Sequence, residues 1–435
     1  MSISEATIIA RSDHAISRSL ISENALKVMY RLKNAGFKGL LVGGGVRDLL
    51  LGREPKDFDV ATDATPEQVE DLFRNCRLIG RRFRLAHVRF GREIIETATF
   101  RGTGDGSESD DHSLNDEGRV LRDNVYGSLE EDAWRRDFTI NALYYNIEDF
   151  SVIDYTNGME DLRNGVIRLI GEPEKRYRED PVRMIRAVRF AAKLGFRIHE
   201  QAEQALFEMG HLLQEVAPAR LFDEVLKLLM SGVGVQTFEL LRHYDLFRYL
   251  FPMTDEALAQ EENTFPHILI ARALSNTDAR IAEGKPVTPA FLFAALLWDT
   301  ARQRAEQIRQ TEDLPASLAL QRAAATVVSE QAGSTAVPKR FSLPMREIWS
   351  LQDRFSHRRG RRAKALLAHK RFRAAYDFML LRVESGEAEQ ELADWWTLIQ
   401  EVDETEQEKM FASGPGAGGR RKRRRRPAKK RESNQ

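Results

Sequence analysis

Leu41 to Thr62 reads LVGGGVRDLLLGREPKDFDVAT, and this stretch decides the fold. Gly43, Gly44 and Gly45 follow the apolar run Gly39–Val42, and Arg47 comes just after them. A Lys-Asp-Phe-Asp-Val run then puts Asp57 and Asp59 two residues apart. Side chains alternate along a strand, so a strand over Asp57–Thr62 sends both carboxylates to one face and Phe58 and Val60 to the other. Glycines lack a Cβ and let backbone N–H groups approach phosphate oxygens, and the start of the following helix favours anions. No Gly-Lys-Ser/Thr follows, which excludes a Walker-type loop. Carboxylates on a strand are out of place unless a cation neutralises them. Two of them suit Mg²⁺, which takes few protein ligands and completes its shell with substrate phosphates. The stretch therefore points to nucleotidyl transfer. Each feature alone has a plainer reading: a packing turn, a turn or cap aspartate, a surface arginine.

Around this stretch the chain reads as mixed α and β. Ser22 N-caps a helix running to Asn34, with Leu26, Met29 and Leu32 on one face and Gly36 after its end. Gly39–Val42 is a strand, and a short helix runs from the glycines to about Gly52. Thr65-Pro-Glu-Gln68 is a capping box with proline at the first helical position. Strands are predicted at Leu85–Phe90, Glu93–Phe100, Val152–Asp154 and Gly165–Gly171, and a helix at Arg136–Tyr145. Residues 1–21 read as a flexible N-terminus. The polar, acidic, glycine-rich segment 101–119 reads as a mobile loop. From Asp180 the chain becomes helical, with apolar spacing over Leu206–Leu213, Leu221–Met230, Phe238–Leu250, Phe291–Trp298, Ala363–Leu367 and Ala375–Leu381.

Metal-assisted nucleotidyl transfer calls for a third carboxylate. Two candidates are open: Glu96 on its predicted strand, and Asp137 in Arg135-Arg136-Asp137-Phe138-Thr139-Ile140-Asn141. Downstream, Arg178-Glu-Asp-Pro-Val-Arg-Met-Ile-Arg186 begins a helix. Arg183 and Arg186 share its face, and Asp180 caps the turn beneath them. A carboxylate beside a guanidinium can read a base edge. Adenine offers an N6 amino donor to Asp180 and an N1 acceptor to Arg183, whereas guanine and uracil present the inverse polarity. Cytosine has the polarity of adenine, so this pair separates A and C from G and U and leaves A versus C open. The plainer reading is a salt bridge at a helix start.

The chain has 435 residues and formal net charge +0. That length predicts several domains. Its one cysteine, Cys76, excludes an internal disulfide and fits a reducing compartment. No apolar run approaches the length of a membrane span, and the N-terminus lacks a signal-peptide pattern, so a soluble, cytoplasmic protein is expected. The zero charge hides an asymmetry. Residues 420–431 (RRKRRRRPAKKR) hold ten of the 66 basic residues, and Glu432 is the one acid beyond 419, so the body carries 65 acids against 56 bases. The tail comprises Arg420, Arg421, Lys422, Arg423, Arg424, Arg425, Arg426, Lys429, Lys430 and Arg431, after the flexible spacer Ser413–Gly419. Such a block suits a phosphate backbone. A solubilising tail or a nuclear-import signal is the other reading.

Taken together, GGGVRD, the Asp57/Asp59 pair, RRDFTINAL (Arg135–Leu143) and EDPVR (Glu179–Arg183) resemble, in family order, the class II nucleotidyltransferases of the polymerase-beta superfamily. That group holds bacterial poly(A) polymerases and tRNA CCA-adding enzymes. LIGRRFRLAHV (Leu78–Val88), the region Pro338–Trp396 with FRAAYDFMLLR, and the arginine-rich tail look more like the poly(A) polymerases. The resemblance implies an α+β fold: a polymerase-beta-like palm followed by all-α neck, body and C-terminal domains. On it, residues 22–170 form the catalytic head, 171–260 a helical neck that holds base and RNA, 261–411 the body and C-terminal domain, and 412–435 linker and tail. It implies Asp57 and Asp59 as metal ligands and Asp137 as the third catalytic acid. Gly43 and Gly44 form the nucleotide turn; Gly44, Arg47, Arg136, Arg183 and Arg186 match nucleotide contacts.

The expected activity is template-independent addition of AMP from ATP to RNA 3′ ends, with two Mg²⁺ ions, or Mn²⁺ in their place, as cofactors. RNA 3′ ends, ATP and RNA-decay machinery are the expected partners, and a monomer the expected state. The alternatives are tRNA CCA addition and, from another class, a non-catalytic RNA-binding adaptor.

Overall fold

The computed structural model describes residues 5–80, 84–102, 112–114, 120–123, 125–259 and 267–413. The chain divides into two compact units, Met1–Leu250 and Phe251–Gln435.

The first unit is built on strands β1 Thr7–Ile9, β2 Gly39–Val42, β3 Asp59–Thr62, β4 Cys76–Ile79, β5 Leu85–Phe90, β6 Glu93–Thr99, β7 His112–Leu114, β8 Val120–Asp123, β9 Leu143–Asn146, β10 Val152–Asp154, β11 Val166–Ile167 and β12 Arg197–Ile198. Eight of them form one sheet in the order β1-β10-β9-β2-β3-β6-β5-β4. The β3–β6 pair is parallel and the other neighbours in it are antiparallel.

Register sets the chemistry of this sheet. One row of paired residues crosses all eight strands: Ile8, Ile153, Tyr144, Val42, Asp59, Glu96, His87 and Arg77. Paired residues share a face. The row is thus apolar, with the phenol of Tyr144, over four strands and polar over the other four. From the first half into β3 and the residue after β6, the helix Leu129–Arg135 packs Leu129 and Ala133 into a cluster with Leu40, Val42, Ala61, Phe100 and Tyr144. Helices Glu23–Asn34 and Pro66–Leu72 lie against strands of the same sheet. Ser22 caps the former by accepting from Asn24 N, and Thr65 with Gln68 forms the predicted capping box on the latter.

Several expectations are corrected. β3 begins at Asp59, two residues later than predicted, and Asp57 lies in the preceding loop. The predicted helix Arg136–Tyr145 is absent. Arg136 ends the helix Leu129–Arg135, Thr139–Asn141 makes a 3₁₀ turn, and Leu143–Asn146 enters the sheet as β9. The N-terminal stretch is tied down: β1 pairs with β10, and Ile16 and Ile21 are buried. Much of 101–119 lies outside the described residues, but His112–Leu114 pairs with Val120–Asp123. The predicted strand Gly165–Gly171 shrinks to Val166–Ile167, which pairs in parallel with Arg197–Ile198. Phe238–Leu250 is two helices, Gly234–His243 and Phe247–Leu250, broken where Asp245 takes a left-handed φ of 56°.

The second unit is helical throughout its described length, from Pro252–Ala259 to Glu404–Ser413. Two of its tryptophans fill the core and satisfy their N–H groups: Trp349 donates to Ala294 O at 3.1 Å and Trp396 to Phe355 O at 2.9 Å. No helix among the described residues is long and apolar enough to cross a membrane.

Candidate active site

The buried strand β2 runs straight into Gly43, whose φ of 73° and ψ of −136° belong to glycine. A Cβ placed on Gly43 would lie 3.7 Å from Arg136 Nη1 and 4.0 Å from an Asp59 carboxylate oxygen. A Cβ on Gly45 would meet the Asp57 carbonyl at 3.4 Å. The glycine turn therefore packs directly on the Asp57–Asp59 segment, with Arg136 at its side. The structure brings these predicted residues together.

Asp59 pairs in register with Glu96. Its carboxyl is pushed up to about 6, first by burial and then by Glu96, with Asp57 adding to the rise and Arg136 opposing it. Glu96 and Asp57 thus both bear on the Asp59 carboxyl at the start of β3. Among the described residues no group of three His, Cys, Asp or Glu side chains could hold a metal ion unaided. The set fits a cation that takes few ligands from protein and the rest from substrate.

Asp137 sits elsewhere in the chemistry. Its Oδ1 accepts from Arg183 Nε at 2.9 Å and its Oδ2 from Arg186 Nη1 at 2.7 Å. Those two guanidinium groups hold its carboxyl far below the usual carboxylate range despite burial. Both arginines continue outward. Arg183 Nη1 donates to Arg176 O and Glu179, and Arg186 Nη2 donates to the buried Glu224 at 3.2 Å. Arg176 Nη2 reaches the carbonyls of Arg135 and Arg136 at 2.9 and 2.8 Å. Asp137 is the hub of a buried ion network, while Glu96 is the carboxylate that adjoins Asp59.

Arg136 is anchored by residues that the sequence reading passed over. Its Nε and Nη2 donate to Asp132 Oδ2 at 3.1 and 3.0 Å, and its Nε also reaches Tyr144 Oη at 2.9 Å. Tyr144 Oη in turn donates to the same Asp132 oxygen at 2.6 Å. The four-residue spacing of Asp132 and Arg136 was a readable signal. The tyrosine came from a strand that had been read as helix.

Arg47 is 2% exposed. Its guanidinium forks onto Asp48 Oδ1 at 2.9 and 2.7 Å, and Nη1 donates to Asn141 Oδ1 at 2.6 Å. It ties the short helix after the glycines to the Thr139–Asn141 turn. Asp180 does not cap the helix that follows it. That helix starts at Val182, and Asp180 ends the preceding helix Pro173–Glu179. Asp180 Oδ2 accepts from Arg220 Nη2 at 2.7 Å, and Oδ1 is buried with no hydrogen-bond partner among the described residues. The basic residues Arg420–Arg431 lie outside the described residues.

With this geometry in view, the comparisons with known proteins are specific. Residues 40–168 match the poly A polymerase head domain, 195–258 the probable RNA and SrmB-binding site of polymerase A, and 312–430 the polymerase A arginine-rich C-terminus. Poly(A) polymerase I of Salmonella typhi is 54% identical over 409 residues, covering 93% of this chain and 88% of that one. A CCA-adding enzyme of Lactobacillus helveticus is 40% identical over 50% of this chain and 52% of its own length. Among solved structures, the Bacillus stearothermophilus CCA-adding enzyme in complex with CTP aligns with a TM-score of 0.55 and 27% identity, over 89% of this chain and 80% of that one. The similarity to poly(A) polymerase I runs through head, site and helical region alike, and the chain belongs to the bacterial poly(A) polymerase I family.

Proposed function

We infer that this chain is a template-independent polynucleotide adenylyltransferase. The 3′ hydroxyl of an RNA attacks the α-phosphorus of ATP, the new phosphodiester carries AMP, and pyrophosphate leaves. The observation that carries the reading is the convergence of the Gly43 turn, Arg136, Asp59 and Glu96 at one point of the sheet.

Asp57 and Asp59, with Glu96 beside them, are the residues that would hold Mg²⁺, or Mn²⁺ in its place. The raised Asp59 carboxyl supports this, since a bound cation offsets both the burial that chiefly raises it and the repulsion from Glu96 and Asp57. When bound, the cations would supply charge neutralisation at the triphosphate and ease ionisation of the attacking hydroxyl. The chain's own residues do the rest. Gly43 and Gly44 leave room for the triphosphate beside the backbone. Arg136, held by Asp132 and Tyr144, offers a fixed positive charge next to that room. Arg47 positions the turn through Asn141 rather than gripping phosphate itself.

Base reading falls to Asp180 and Arg183, with Arg186 and Asp137 fixing the arginine. The unpartnered, buried Asp180 Oδ1 supports this role, because a buried acceptor calls for a donor and the adenine amino group is one. The tail Arg420–Arg431 adds sequence-neutral, salt-sensitive RNA affinity. We place the enzyme in the cytoplasm, acting as a monomer whose products enter RNA decay.

The test is AMP transfer by the purified full chain, given each of the four NTPs in turn with Mg²⁺. The substrates are an unstructured RNA and a tRNA lacking its CCA end. Long A tracts on both RNAs, with ATP alone, are expected. Addition limited to CCA on the tRNA would contradict the reading. Binding without incorporation would make the chain an RNA-binding adaptor.

A further inference from the structure

We propose that the open half of the large sheet, on the face bearing Asp59 and Glu96, is a track for the last nucleotides of single-stranded RNA before the reacting end. The inference rests on the adenylyl-transfer reading above.

Alternation along three strands divides the two faces. Ala86 and Val88 of β5 and Ile95, Thr97 and Thr99 of β6 are buried on one side. On that side Glu93 accepts from Ser22 and Asn24 at the start of the helix Glu23–Asn34. On the other side, Arg77 and Ile79 of β4, Arg89 of β5 and Ile94 and Glu96 of β6 are exposed. The helix Leu129–Arg135 covers this face over Leu40, Val42, Ala61 and Tyr144. The exposure of the five residues begins at the strand next to Asp59.

What lies on this half fits a polyanion with flat, apolar bases. The solvent-facing acid among the residues of β4, β5 and β6 on this side is Glu96, which belongs to the reacting centre. The two arginines have no hydrogen bond or ion pair to their guanidinium groups among the described residues. Ile79 and Ile94, 37% and 36% exposed, lie on the same face. Arg89 pairs with Ile94, and Ile79 with Leu85. A body that carries more acids than bases thus presents two uncommitted cations beside its carboxylate cluster. Arg77 stands in the same row as Asp59, three strands away, or about 14 Å at ordinary strand spacing. An RNA end held with its hydroxyl near Asp59 would lay its preceding phosphates over these side chains. Phosphate contacts by arginine position a strand without reading its sequence, which suits a polymerase that must accept any 3′ end.

The test uses the full chain, with steady-state AMP incorporation measured at several salt concentrations. In the double variant Arg77→Ala/Arg89→Ala the KM for a short unstructured RNA should rise about tenfold. The log–log salt slope should weaken by about 1.4, two phosphate contacts at roughly 0.7 each. The KM for ATP and the thermal midpoint should stay at wild-type values, since both side chains are exposed. Arg77→Glu/Arg89→Glu should lose more. If the wild type extends RNA and the double variant keeps its RNA KM and salt slope, the track is wrong and the adenylyl-transfer reading stands; a protein partner would then be the alternative occupant. If the variant loses ATP and RNA affinity together, the track is also wrong. If the wild type transfers no AMP, the underlying reading itself fails.

Discussion

Asp59→Asn should lose AMP incorporation by on the order of a thousandfold and, at the same time, make the folded chain more stable at pH 7 in a chelating buffer. The two effects come from one cause. Burial and the neighbouring Glu96 push the Asp59 carboxyl up to about 6 from an ordinary 3.8. The folded chain therefore binds this proton more tightly than the unfolded chain. The group's contribution to stability is complete below pH 3.8 and is lost as pH rises through 6. At pH 7 the ionised carboxylate is a cost, which asparagine removes without changing shape. A difference of two pKa units corresponds to at most about 3 kcal/mol. At a half-buried position we expect roughly 1–2 kcal/mol. Urea unfolding of wild type and variant at pH 7 and pH 4 checks it: the gain should be present at the first and gone at the second. A variant that is destabilised at pH 7, or that still incorporates AMP well, contradicts the assignment.

Asp137→Ala should behave in the opposite way. Here the folded carboxyl lies far below its ordinary value because Arg183 and Arg186 both bind it. Its stabilisation is fully present above the unfolded value near 4 and is lost only as pH falls through the lower folded value. Removing it leaves the buried Arg183 and the part-buried Arg186 side by side without their shared partner. Asp137 and Arg186 are partly exposed and both arginines keep other acidic partners, so the loss is below that of a fully buried pair, about 2–3 kcal/mol, measurable as a drop in the urea midpoint at pH 7. Function should suffer through the base-reading Arg183, as a raised KM for ATP, with the concentration of Mg²⁺ needed for half-maximal rate unchanged. A stable variant with a much higher Mg²⁺ requirement would show instead that Asp137 is a metal ligand.

The contrast between these two aspartates shows what a linear sequence discloses. The packing of the glycine turn on the Asp57–Asp59 segment was legible because the two lie close in the chain, although Asp57 precedes the strand that alternation predicts for it. The capped helices at Ser22 and Thr65 were legible for the same reason, since capping chemistry is local. The partnership of Asp137 was not. Its ligands lie 46 and 49 residues away, and nothing near it in sequence announces them. The same distance hid the tie between Arg47 and Asn141, 94 residues apart, and with it the burial of an arginine that the sequence alone leaves as a phosphate contact or a surface charge. The segment from Arg136 to Tyr145 was misread because short apolar runs do not distinguish helix from buried strand. Sheet pairing of Leu143–Asn146 between β2 and β10 decided the outcome. The edge strand Thr7–Ile9 is three residues long, too short for any period to register.

Register also explains why Glu96 is the better neighbour for Asp59. A parallel β3–β6 pair puts the two on one row, and no feature of either segment alone specifies that alignment. Both carboxylates are visible in the sequence, and it is the sheet that sets which of them stands in register with Asp59.

The central claim is that the acids at the start of β3 form a seat for divalent cations. The thermal midpoint of the full chain at pH 7 with a fixed excess of ATP and no RNA, followed as Mg²⁺ is titrated in beside Asp59→Asn, tests it without reference to turnover. Binding to the folded state alone stabilises it by RT ln(1 + [Mg²⁺]/Kd), about 2.7 kcal/mol at a hundredfold excess over Kd. The account predicts a midpoint that climbs with Mg²⁺ for the wild type and stays level for the variant. Parallel curves for the two proteins would contradict it.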